Sequence, residues 1–161
     1  MPGESQLSGS GSNQYMATFI LVHGAWHGGW CWRHVAPLLR SHGHEVHTPD
    51  QPGHGDDRAP IHQQTLGSYA QRLADVVGTL SGDVILVGHS LGGRLMASCT
   101  KALAAAPMVR LDSLTLLEAA FSHFGFSANN GKGQEGFFRG VVTSSVVKGP
   151  FIATFSMQDT V

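Results

Sequence analysis

The run VILVGHSLGG, Val84 to Gly93, constrains the fold of this chain more than any other feature. An apolar stretch of strand length enters the turn Gly88-His89-Ser90-Leu91-Gly92, and Leu91 to Ala106 then continues as a small-residue helical pattern ended by Pro107. A chain that passes from strand to helix this abruptly must turn sharply. The turn puts Ser90 in a strained backbone conformation, and the flanking glycines remove Cβ atoms that would clash there. The Ser90 hydroxyl is then expected at the carboxyl edge of a sheet and at a helix N-terminus, where the dipole favours developing negative charge. A turn that merely tolerates glycine is the plainer reading. A strand before and a helix after favour a nucleophile.

The rest of the pattern repeats the strand-then-helix theme. Ala17–His23 and His44–Asp50 read as strands, and Trp30–Ser41 and Thr65–Leu80 as helices with apolar residues on one face. Two further strands are expected over Asp112–Ala120 and Gly149–Met157. The alternation defines the α/β class, a mostly parallel sheet flanked by helices. Between the last two strands, residues 121–148 are rich in Gly and Phe and too irregular to form one crossover helix, so a cap segment is expected there. Residues 1–15 read as a flexible leader or tag remnant, with Met16 a candidate native start and 16–161 a single domain.

Composition narrows the function classes. A net charge of −1 with 13% charged residues gives no electrostatic footprint for nucleic acid. No window reaches the roughly 18 apolar residues of a membrane span. The leader has neither the basic nor the apolar part of a secretory signal. Cys31 and Cys99 lack metal-ligand spacing and read as free thiols of a cytoplasmic protein, with a disulfide between them the less favoured alternative.

On GHSLGG together with FILVHGAWHGGWCW and DQPGHG, the chain resembles the α/β-hydrolase superfamily, and its opening is most similar to the esterase and methylesterase group that includes plant hydroxynitrile lyases. The resemblance runs from about Ala17 to Met157 and is sharpest up to about Met96. It implies an oxyanion hole from the backbone N–H groups of Leu91 and Ala25, with no metal and no organic cofactor. Trp26 is expected as a pocket wall or second-choice donor, and His23 as a residue that orients the loop. His89 is expected to pack beside the pocket because neighbouring strand side chains point to opposite faces. Asp50 and His54 are expected to satisfy the backbone of their own turn.

A serine needs a base within hydrogen-bond reach and a group to orient that base. The resemblance places the acid after the nucleophile. Asp159 matches its usual position, and Glu118 matches that of a minority of members. None of the 10 histidines follows Asp159, so the expected fold is a short α/β-hydrolase lacking the last strand and helix, with an exposed sheet edge that favours homo-oligomers. His123 is the only histidine after Ser90; it reads either as an ordinary cap residue or as the replacement base. Phe121 and Phe124 are expected to line an acyl pocket or to plug the cap.

The expected function is hydrolysis of small carboxylic esters through an acyl-enzyme on Ser90, the ester being the only partner besides a second copy of the chain. The alternatives are a hydrolase-fold protein that binds a ligand or partner without turnover, and a cyanohydrin-cleaving lyase.

Overall fold

The computed structural model describes residues 15–104 and 111–155. Among the described residues five strands form one parallel sheet: β1 (Thr18–Val22), β2 (Glu45–His47), β3 (Val84–His89), β4 (Ser113–Leu117) and β5 (Phe151–Ala153). Their spatial order is β2-β1-β3-β4-β5. The chain therefore winds outward from β1 to β2, then returns to β3 on the other side of β1 and continues to β4 and β5. This reversal between β1 and β3 opens a crevice at their carboxyl ends, the place where doubly wound sheets hold ligands.

Helix α1 (Ala36–Ser41) lies on one face of the sheet, and α2 (Leu66–Gly78), α3 (Leu91–Leu103) and the short α4 (Arg139–Thr143) are on the other. The alternation of strand side chains divides the core in two. Ile20, Val22, Leu86, Leu114 and Leu116 are buried under α2 and α3, whereas Leu21 and Val46 pack with Trp32 and Ala36 of the α1 side. Both faces of β1 are covered, as the run TFILV requires; on β3 and β4 only one is fully buried.

Two local devices fix the register of this scaffold. Thr65 and Ser68 close a reciprocal capping box at the start of α2, each side-chain oxygen accepting the other residue's backbone N–H. Asp112 ties the starts of two strands together, its Oδ2 accepting the Val84 N–H at 2.7 Å and its own N–H donating to the Val84 carbonyl at 3.0 Å.

The helix expected over 30–41 is broken. Gly29–Trp32 forms a 3-10 turn, and α1 begins afresh at Ala36 with Pro37 in its first turn. A continuous helix would have placed Pro37 in its interior, where it lacks an N–H and clashes with the preceding turn. The strand predicted to run to Ala120 stops at Leu117, because Glu118 adopts φ +47°. The cap segment holds a 3-10 turn at His123–Phe126 and α4, with irregular chain between. The leader, the stretch 105–110 and the chain from 156, including Asp159, lie outside the described residues.

Candidate active site

Ser90 sits between β3 and α3 with φ 55° and ψ −121°, a backbone conformation that side-chain-bearing residues rarely adopt. Three hydrogen bonds hold it there. Its N–H donates to the Leu117 carbonyl at 2.9 Å, and its carbonyl accepts from Ala120 at 3.0 Å and Arg94 at 3.2 Å. The strain is thus held by the end of β4 and by the first turn of α3.

The glycines around Ser90 are required by close approach. A Cβ on Gly88 would stand 2.5 Å from the Gly92 carbonyl oxygen and 2.7 Å from Met96 Cγ. A Cβ on Gly92 would overlap the carbonyl oxygens of His23 and Val22. The bare Gly92 therefore lets the N-terminus of α3 dock on the end of β1. Gly24 completes the contact from the other side, since a Cβ there would lie 3.3 Å from Ser90 Cβ and 3.4 Å from His89 Nδ1. As the first residue of α3, Leu91 has an N–H with no intrahelical acceptor. Its N–H and the turn that holds Ala25 are brought to the same end of the β1–β3 crevice.

That turn is braced from below. His23 is buried, with 3% of its surface exposed. Its Nδ1 is 2.8 Å from the Gly24 carbonyl and must donate to it; Nε2 is then the unprotonated nitrogen and accepts the Gln51 N–H at 3.2 Å. Burial holds the imidazole below its ordinary pKa, in keeping with this neutral form. With both ring nitrogens engaged, His23 orients the loop and has none free for proton transfer. Asp50 adds a second brace, accepting from Gly29 N–H at 2.6 Å and Asp56 N–H at 2.9 Å and so joining the 24–29 turn to the 50–57 turn. His54 lies between the rings of His23 and Tyr69.

The structure separates the residues expected to form the pocket. Trp26 is 91% exposed at φ 65°, and His27 closes this turn by donating from Nδ1 to the Ala25 carbonyl at 2.7 Å. His89 is exposed, not packed as expected. Strand alternation fails here because the positive φ of Ser90 breaks it, leaving both Ser90 Cβ and His89 Nδ1 beside Gly24. Phe121 and Phe124 instead line a cavity beneath the cap whose walls include neither Ser90, His89 nor Trp26. Glu118 is exposed at the end of β4, its N–H donating to Thr154 Oγ1 at 3.2 Å. His123 opens the 3-10 turn of the cap. Among the described side chains, none is hydrogen-bonded to Ser90 Oγ.

Sequence reasoning missed two residues that shape this site. Gly24 was legible only as the glycine that ends β1, and its contact with Ser90 depends on strand order. Gln51 carries the acceptor-seeking N–H for His23, while both polar atoms of its own side chain are buried without a partner among the described residues. The thiols are free as expected; Cys99 is buried in the core, which pushes it up to about 11, and Cys31 is half-buried.

A parallel sheet wound about a β1–β3 crevice, with a strained serine at its edge, defines the class, and the sequence agrees: residues 19–156 match the alpha/beta hydrolase family, to which the chain belongs. Among characterised relatives, it is 42% identical over 116 residues to the carbendazim hydrolyzing esterase of Nocardioides sp. strain SG-4G, covering 70% of this chain and 46% of that protein. It is 49% identical over 78 residues to salicylic acid-binding protein 2 of Nicotiana tabacum, covering 47% of this chain and 30% of that protein. The crystal structure of a pyrethroid hydrolase from Sphingobium faniae JZ-2 superposes with a TM-score of 0.56 at 33% identity, over 69% of this chain and 43% of that one. The chain thus spans less than half the length of these relatives.

Proposed function

We propose that the protein hydrolyses small carboxylic esters through an acyl-enzyme on Ser90. The observation that carries this reading is the backbone of Ser90, held at φ 55° and ψ −121° where the N-terminus of α3 meets the loop after β1. The esterases among its relatives support the reaction class. Ser90 Oγ attacks the ester carbonyl, and the N–H groups of Leu91 and Ala25 hold the oxygen as it becomes negative. Fixed backbone donors suit this task because they need no reorganisation during the reaction. Collapse of the intermediate expels the alcohol and leaves the acyl group on Ser90; water then attacks the same carbon and releases the acid.

His123 is the base in this reading, oriented by Asp159 or Glu118, because every other histidine precedes Ser90 in the chain and His23 has both nitrogens engaged. General-base assistance of this kind contributes about 10²–10⁴-fold. Hydrolysis of p-nitrophenyl acetate is expected to fall by at least about 10²-fold both in Ser90→Ala and in His123→Ala, with the residual rate left by oxyanion stabilisation. Full turnover in Ser90→Ala would overturn the mechanism, and full turnover in His123→Ala would remove that residue from it.

A second reading is favoured by the Ser90 hydroxyl, which has no hydrogen bond to a described side chain. Here the protein binds an ester or acid without turning it over. Covalent capture by an activated ester without a second turnover would select it, since oxyanion stabilisation persists when a triad is damaged.

A further inference from the structure

A cavity of about 390 Å³ lies under the cap, one helical turn beyond Ser90 along α3. Its apolar wall is made by Phe121, Phe124, Phe137 and Phe138, and its charged groups are Arg94 and Lys132. Among the described residues, no Asp or Glu belongs to the lining. Glu135, the acid of the same loop, is exposed and outside it.

The aromatic wall is built, not accidental. Phe121 packs on Phe138 at 4.7 Å between centroids and edge-on to Phe126 at 5.2 Å, and Phe138 packs edge-on to Phe137 at 5.0 Å. Lys101 pins the outer ring, its Nζ donating to the Phe137 carbonyl at 2.8 Å and standing 3.5 Å from the centre of the Phe137 ring. That cation is spent on the cap. Arg94 and Lys132 are different. The ion pairs among the described residues are His47–Glu45 and Lys148–Asp112, and neither the Arg94 guanidinium nor the Lys132 ammonium hydrogen-bonds to a described residue. A mostly apolar cavity therefore has two positive side chains in its lining, neither paired with an acid among the described residues.

Such a combination selects for a ligand with an apolar body and one anionic end. Rings or short alkyl chains fill the Phe wall, and the planar fork of an arginine matches a carboxylate in a bidentate pair. The volume is at the small end of the range for organic ligands, room for one or two rings. We propose that this cavity is a binding site for a small aryl or short-chain alkyl carboxylate, with Arg94 and Lys132 holding the carboxylate. The described lining includes none of Ser90, Leu91, Ala25 and Glu118, so the proposal is tested separately from ester cleavage at Ser90.

The probe is 2-naphthoate, with neutral 2-naphthamide as its uncharged counterpart, titrated into the full chain by calorimetry and by amide chemical shifts. Naphthoate is expected to bind at least about tenfold more tightly than naphthamide. Amide shifts should be at Gly125 and Gly136, which belong to the lining, and not at Gly24 and Gly88 in the Ser90 crevice. The double variant Arg94→Gln, Lys132→Gln should abolish the preference for the anion while leaving the circular dichroism unchanged. If that variant does not fold, Lys132→Gln alone, on an exposed loop, should still reduce the preference at least about twofold. Equal affinity for the two probes, shifts confined to Gly24 and Gly88, undiminished naphthoate binding in the folded variant, or no binding up to the solubility limit would each overturn the proposal.

Discussion

At the scale of single residues, the site rests on missing atoms and on one buried imidazole. Gly92 has room for no side chain, because any Cβ meets the carbonyl oxygens that end β1. Gly92→Ala is expected to cost about 1–3 kcal/mol in urea denaturation, the usual range for overpacking a tight contact. Wild-type stability in that variant would show that α3 can move off β1 freely. His23 gives a pH dependence whose sign follows from its burial. Its folded pKa is lowered from 6.5, so below 6.5 the unfolded chain takes up more protons than the folded one, and stability falls as pH drops from that value toward the folded pKa. Above 6.5 its contribution is fully present and flat. A His23→Gln variant should show a shallower decline in this window when midpoints of urea unfolding are compared, and an unchanged slope would contradict the account. The turn at Ser90 was legible in the sequence because Gly-x-Ser-x-Gly is a local signal. The exposure of Trp26 and His89 was not, since it depends on the positive φ values of Trp26 and Ser90.

At the scale of elements, the order and type of strands and helices followed from hydrophobic period, whereas their ends followed from individual residues. Pro37 restarts a helix that periodicity alone would run through, and Glu118 at positive φ ends β4 early. The start of α2 is set by Thr65 and Ser68, which close a capping box that the reading from apolar period did not use. Thr65→Ala is expected to destabilise the protein by about 1 kcal/mol, the common loss for an N-cap hydroxyl, read as a shift of the urea midpoint at constant slope. An unshifted midpoint would mean that the packing of Leu73 and Val77 alone holds the helix. The cap was legible only as a break in pattern. Its ring cluster joins residues 121–138 to β5 through Phe126 and Phe151, a long-range arrangement that no local period encodes.

At the scale of the whole molecule, strand order decides what the parts can do. Only the reversal between β1 and β3 brings the 23–25 loop to Ser90, and a linear reading of the chain cannot show which strands become neighbours. Among the described residues the same topology leaves β5 at the edge of the sheet, with Ile152 and Phe155 exposed, and the second face of β3 and β4 only partly covered. Such an edge invites pairing with another chain. Sedimentation at rising concentration is expected to give a mass above the 17.1 kDa of one chain, reduced by Ile152→Lys; a constant monomer mass would contradict this expectation. The central claim concerns Ser90, and its most direct test is covalent. Treated with a fluorophosphonate and analysed by intact mass and peptide mapping, the protein is predicted to gain one adduct, on Ser90, and to gain none as Ser90→Ala. An unlabelled wild-type chain, or an adduct that persists in Ser90→Ala, would contradict the account.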